Sequence, residues 1–348
     1  MSRPPWDTAP RRVLLIQLRR IGDVVLATPM LDAVRAAWPG ARTSFLTSSP
    51  AGDLFAGDDR IDLLWTLRER RGIPLLARRL RAEQFDLVLD LQSLSLTALL
   101  SLAAGGYRVG FRRRFRHLAY DRAVDHGAHQ GTDFAADHKL DLLRAVGVAP
   151  RLTPPRLPVP VTAHPAWAAA EDRPRVILTP VSPRGYKRWA PEAFGNVARS
   201  LSEVTGAWVL VAGGPGEEDQ LAAAAGNAGS PSPTVIACRS LPEFASILTG
   251  ADILVGNDNG PRHIAIALGV PTVAWFGPQN PSNWTPPADP RHVAAQRKGA
   301  TSHRLRPDLT LVPDTVDAVS EAARGLLAGG RISRQAREAS AFSTAVVR

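Results

Sequence analysis

The chain of 348 residues has a single cysteine, Cys238, so no disulfide can close within it. Cys238 follows the apolar run Val235-Ile236-Ala237 and reads as a small core residue in a protein of a reducing compartment. Runs of about 18 apolar residues are missing, which excludes a membrane-spanning helix and leaves only peripheral membrane contact. The proline-rich opening, Met1 to Pro10, lacks the pattern of a secretory leader, and a cytoplasmic location is expected. The eight histidines have no paired helical spacing and no Asp-x-Asp stands at a strand end, so neither a metal nor a cofactor is expected. Aromatic residues amount to 6%, and no series of them runs through the basic clusters, which argues against nucleic acid as a partner.

Positive charge, by contrast, is plentiful, with a formal net charge of +10. Residues 1–160 hold 24 Lys and Arg against 16 Asp and Glu, so the first half carries +8 and the remainder only +2. The excess is densest at Arg68-Glu69-Arg70-Arg71, at Arg78-Arg79 and at Arg112-Arg113-Arg114 with Arg116. Such a field attracts an anionic partner; the plainer alternative is a solvated, arginine-rich surface.

The length suits two domains. Short apolar runs alternating with helical stretches predict a doubly wound parallel sheet in each half. In the first half, strands are expected at Val13–Leu18, Arg42–Leu46 and Phe85–Leu91, with a helix from about Asp23 to Trp38. Prolines 150, 154, 155, 158, 160 and 165 mark a linker over about 150–172. The second half repeats the alternation, with strands at 175–179, 208–212, 234–237, 253–255 and 272–276 and helices between them. A last helix is expected from Asp314 to about Leu327, stopped by Gly329-Gly330, with residues 329–348 a loose basic tail. The boundaries are therefore 1–160 (with 1–11 a loose tail) and 161–328. Ligands of such sheets sit beyond the carboxyl ends of the strands. A cleft between the two domains is expected to be lined by the loops after Leu18, Thr179, Ala212, Val255 and Phe276.

Four segments carry candidate chemistry. In Val255-Gly256-Asn257-Asp258-Asn259-Gly260-Pro261-Arg262-His263, a strand runs through a turn into a helix that Pro261 suits as first residue. The N–H groups of Asn259, Gly260 and Arg262 can then face an anion, helped by the helix dipole. The alternative is an ordinary junction with Asn259 as N-cap and His263 in packing. In Ser182-Pro183-Arg184-Gly185-Tyr186-Lys187-Arg188-Trp189, Ser182 and Lys187 can bind phosphate oxygens, while Trp189 reads as packing. In Arg19-Arg20-Ile21-Gly22-Asp23, the carboxylate at a helix start is either a cap or a base for a hydroxyl proton. In Gly213-Gly214-Pro215-Gly216-Glu217-Glu218, a carboxylate can bind ribose hydroxyls or simply stand in a helix's first turn.

Taken in order, these segments resemble glycosyltransferase family nine, the heptosyltransferases of lipopolysaccharide core assembly, over about Arg12 to Leu327. The resemblance rests on Val13 to Pro29, on Tyr107-Arg108-Val109-Gly110-Phe111, on the lysine loop at 182–189, and on Gly256 to Gly269 with Pro271 to Pro278. It implies a GT-B fold, two Rossmann-like domains facing across a cleft. It also implies an ADP-heptose donor and an inverting, metal-independent transfer to an anionic lipid A–core acceptor at the inner membrane. It assigns Asp23 as general base, and Lys187, Asp258, Asn259, Gly260 and His263 to the nucleotide sugar, to which the reading of the loops adds Ser182 and Glu217. Arg19, Arg20, Gly22, Arg112 and Arg113 are the candidate acceptor contacts. The family usually has Ser or Thr where this chain has Asn259, and often a pair of hydroxyl residues where it has Ser182-Pro183. A sugar-nucleotide epimerase of the same fold would need no basic acceptor surface, and a non-catalytic binding module would not need Asp23.

Overall fold

A computed structural model describes residues 9–127, 132–160, 162, 164–229 and 232–346, the side chains of 70 and 340–346 excepted. Most of the expected N-terminal tail, and residues 347–348 of the C-terminal one, lie outside this range. The chain divides into two compact units, Met1–Pro158 and Val159–Arg348.

The first unit is built on six parallel strands: β1 (Arg12–Ile16), β2 (Arg42–Ser48), β3 (Leu63–Leu67), β4 (Leu87–Asp90), β5 (Tyr107–Phe111) and β6 (Arg122–Val124), in the order β3-β2-β1-β4-β5-β6. The central strand β1 pairs with β2 and β4, and its Val13, Leu14, Leu15 and Ile16 are all buried, which is why it reads as a continuous apolar run. Its helices are α1 (Ile21–Val25), α2 (Thr28–Ala37), α3 (Ile73–Ala82), α4 (Ser95–Ala104) and α5 (Ala135–Arg144). The single helix expected over 23–38 is in fact α1 and α2. The break falls at Leu26–Ala27, just ahead of Pro29 in the first turn of α2, and Thr28 Oγ1 donates to Val25 O (2.8 Å).

The second unit has seven parallel strands in the order β13-β12-β11-β10-β7-β8-β9. They are β7 (Arg175–Thr179), β8 (Trp208–Gly213), β9 (Thr234–Ala237), β10 (Ile253–Asn257), β11 (Thr272–Trp275), β12 (His292–Ala295) and β13 (Leu311–Val312). Its helices are α6 (Pro191–Thr205), α7 (Glu218–Gly226), α8 (Leu241–Thr249), α9 (Gly260–Ala267) and α10 (Val316–Val346). The proline-rich stretch is pinned to the unit on either side of it. Arg156 Nη2 meets Asp32 (2.9 Å), and the buried Trp167 donates to Ile247 O (2.9 Å).

The last helix overrides the expected stop. Gly329 and Gly330 lie inside α10, and a side chain at Gly330 would sit 2.0 Å from Asp252 O. The glycine therefore permits close packing instead of ending the helix. Beyond it, buried Arg334 donates to Asp252 Oδ1 (2.8 Å), and Arg337 donates to Ala251 O (2.8 Å) and Gly269 O (3.2 Å). Residues 330–337 are thus packed, not loose, because Arg334 pairs with the Asp252 carboxylate and Arg337 satisfies carbonyls just past the ends of α8 and α9.

Candidate functional site

In the second unit, β10, β7 and β8 are adjacent strands, so the loops leaving their carboxyl ends are neighbours. Buried Asn257 ties two of these loops together: its Oδ1 accepts from Trp189 N (2.9 Å) and its Nδ2 donates to Pro180 O (2.7 Å). Asn259 Nδ2 donates to Val181 O (2.7 Å), and Gly213 at the end of β8 is so close to Val181 that a Cβ there would lie 3.2 Å from its side chain. Gly256 has no room for a Cβ, which would stand 2.1 Å from Thr179 Oγ1.

Asp258 sits where these loops meet, 2% exposed. Its Oδ2 accepts from Lys187 Nζ at 2.6 Å. Its Oδ1 lies 3.9 Å from both Arg262 Nη1 and His263 Nε2. Lys187 donates to this carboxylate oxygen and, at 3.5 Å, to Asp258 O, which leaves one N–H donor for a ligand. The indole of Trp284 lies beneath its ammonium (5.7 Å) and edge-on to buried His263 (6.0 Å). Arg262 is wholly buried against Phe276, donating to Trp284 O (3.0 Å) and Thr285 Oγ1 (2.9 Å); burial lowers its pKa to about 10. It stays charged at neutral pH and braces Asp258 and the Trp284 loop together.

The same loops show what the other candidate side chains hold. Arg262 N–H donates to Asn259 Oδ1 (3.4 Å), so Asn259 is an N-cap and that N–H already has a partner. Gly260 opens α9 at the same point. Ser182 is buried, its Oγ accepting from Arg184 N (3.4 Å) and its carbonyl from Arg188 Nε (2.6 Å), so it shapes the loop. Glu217 Oε2 accepts from Gly214 N (2.8 Å), folding the carboxylate back on its own glycine turn. Trp189 packs edge-on to Phe194 in the core. Burial pushes the Cys238 thiol up to about 11, which leaves it protonated and unreactive.

In the first unit, Asp23 stands in α1, partly exposed, with Arg20 N at 3.5 Å from its Oδ2. Gly22 is buried beside it, and Arg19 and Arg20 are exposed. The cation facing Asp23 is not an arginine but Lys139 of α5, whose Nζ lies 4.0 Å from Oδ1 and donates to Gln17 Oε1 (2.8 Å). Burial lowers the Lys139 pKa, and Asp23 and Asp90 oppose that. Asp90, fully buried at the end of β4, accepts from Ser93 N (2.8 Å) and Tyr120 Oη (2.7 Å); burial raises its pKa against those bonds. Gly110 exists for the Tyr120 ring, which would meet a Cβ at 2.5 Å. Arg112 pairs with Asp125 (2.8 Å) and Arg113 donates to His126 Nε2 (2.7 Å), both at the exposed end of β5. His126 accepts because its pKa is lowered to about 4 by burial and by Arg113.

Sequence reasoning missed Lys139, Asp90, the side chain of Arg262 and Trp284. Lys139 had a signal: it lies three residues after Ala136 and four before Leu143, on the buried stripe of α5. Among the described residues, no three His, Cys, Asp or Glu side chains gather as metal ligands, and no helix is long and apolar enough to cross a membrane.

Residues 74–308 match the family model of glycosyltransferase family 9 (heptosyltransferase), a range that holds Lys187 and Asp258 but stops short of Asp23. Lipopolysaccharide heptosyltransferase 3 of Escherichia coli K12 is 23% identical over 299 residues, 77% of this chain and 83% of that protein. Among solved structures, a glycosyl transferase family 9 protein from Veillonella parvula matches with a TM-score of 0.76 at 20% identity, covering 92% of this chain and 97% of that one. E. coli heptosyltransferase WaaC with ADP matches with a TM-score of 0.70 at 20% identity, covering 90% and 99%. The two Rossmann-like units are those of the GT-B fold.

Proposed function

The chain belongs to glycosyltransferase family 9, the heptosyltransferases, and from that premise we propose that it moves a heptose from ADP-heptose to an anionic lipopolysaccharide core acceptor. The observation that carries the donor half is the meeting of Lys187, Asp258 and the start of α9 at the carboxyl edge of the second sheet. Asp258 holds the lysine in place, and the lysine's third N–H and the helix dipole face the diphosphate. His263 and the Trp284 ring border the same spot.

Asp23 takes the proton of the acceptor hydroxyl. The acceptor oxygen bonds to the anomeric carbon as the bond to the diphosphate breaks, so configuration inverts and ADP leaves with the electron pair. Lys187 and α9 stabilise that leaving charge without a metal. The +8 of the first half draws in the phosphorylated acceptor, with Arg19, Arg20, Arg112 and Arg113 as its contacts, at the cytoplasmic face of the inner membrane.

A panel of nucleotide sugars tests this reading. ADP-heptose should raise the melting temperature, and transfer to a lipid A–core acceptor should persist in EDTA. Stabilisation by UDP-sugars alone, or activity that returns only with magnesium or manganese, would overturn it.

A further inference from the structure

The described part of the first unit leaves five large apolar side chains well exposed: Leu75 (45%), Leu99 (62%), Leu102 (41%), Phe115 (73%) and Leu118 (77%). All five stand on α3, α4 or the 3-10 turn Arg114–Ala119. These elements adjoin one another. Leu76 and Leu80 of α3 share a core with Leu100 and Ala104 of α4, and Ala98 of α4 packs with Ala119 and Tyr120.

The outer side of α4 is unusual for a surface helix. No charged residue occurs from Leu91 to Tyr107, and Leu99 and Leu102, one turn apart, share the outward side. A helix without charge normally lies buried. Arginines surround this apolar surface: Arg78, Arg79 and Arg81 on α3, and Arg112, Arg113, Arg114 and Arg116 around Phe115. Residues 68–116 hold eleven arginines against four carboxylates, a net +7. Arg114 lies over the Phe115 ring (5.3 Å), which keeps cation and aromatic at one level.

We propose that this face docks on an anionic lipid bilayer. Leu99, Leu102, Phe115 and Leu118 enter the boundary between headgroups and acyl chains, and the arginines meet the headgroups. A protein partner would meet the apolar side chains, but the dense single-sign rim favours a surface that is uniformly negative. The docking rests on the inner-membrane placement proposed above and gives it a surface, and its test reads vesicle binding alone, separately from sugar transfer.

Full-length protein is sedimented with vesicles of phosphatidylcholine containing phosphatidylglycerol, or of phosphatidylcholine alone. Binding should require the anionic lipid. Leu99→Gln/Leu102→Gln/Phe115→Gln/Leu118→Gln should lower partitioning by more than about tenfold. Arg114→Gln/Arg116→Gln should lower it by roughly fivefold per arginine, an effect that high salt erases. The replaced side chains are exposed, or half-buried in the case of Arg116, so melting temperature and ADP affinity should not move. Partitioning of the quadruple variant equal to wild type would overturn the proposal. So would a wild-type dimer that the same variant converts to monomer while vesicle binding persists, since the face would then join two copies of the chain.

Discussion

Asp23 and Asp258 are both carboxylates near the start of a helix that follows a parallel strand, yet they are held differently. Asp258 is buried, fixed by Lys187 at 2.6 Å and faced by Arg262 and His263. Asp23 is about one-third exposed, and its nearest cation, Lys139, stays at 4.0 Å because Gln17 takes a hydrogen bond from it. A carboxylate locked into a buried pair organises a binding site; one left open to solvent can exchange a proton with a substrate. The contrast suits the proposed division of work between the units.

The strongest way to break the contrast is to remove proton acceptance from Asp23. Asp23→Asn should lower turnover by about 10²–10⁴-fold, measured as sugar transfer to a lipid A–core acceptor. If the carboxylate only caps α1, the loss should be slight, since Asn caps about as well as Asp.

Asp258→Asn attacks the other side. It leaves the wholly buried Arg262 facing no carboxylate, and should lower unfolding stability by roughly 3–5 kcal/mol in urea. A loss below about 1 kcal/mol would mean that the pair organises nothing.

Gly330→Ala tests whether the second unit depends on α10 packing closely at Asp252. It should cost about 1–3 kcal/mol, whereas Gly329→Ala, where a Cβ meets nothing, should be neutral or stabilising. Equal effects would return Gly330 to a helix-stop role.

Acid probes the second unit without a substitution. Burial lowers the His292 pKa to about 3, so the unfolded chain takes a proton near pH 6.5 that the folded chain refuses. Stability should therefore fall as pH drops from 6.5 toward 3, by at most about 1.4 kcal/mol per pH unit from this group. His292→Gln should flatten that slope, and an unchanged slope would assign acid sensitivity elsewhere.

The parallel sheets were legible where strands are buried on both faces, as at Val13–Ile16 and Ile253–Val255, because such strands read as unbroken apolar runs. Leu63–Leu67, half-buried throughout, and the four-residue His292–Ala295 gave too little pattern to be read. Lys187 was a candidate from loop position and residue type, Asp258 only through the family resemblance. Their pairing was not legible, since it depends on two strands distant in sequence lying side by side. Asn259 was read both as an anion site and as a cap, and its side chain caps α9. Lys139 escaped because its place on the buried stripe of α5 marks it as buried but does not name Gln17 and Asp23 as its partners. Gly329-Gly330 misled, because a glycine needed for contact looks in sequence like a glycine needed for a turn.

The division of work between the units is tested most directly by titrating ADP calorimetrically into Asp23→Asn and Lys187→Ala side by side. Asp23→Asn should bind ADP as the wild type does, while Lys187→Ala should lose roughly 1.5–3 kcal/mol, the worth of a charge-assisted hydrogen bond. Unchanged affinity in Lys187→Ala, or a comparable loss in Asp23→Asn, would contradict the account.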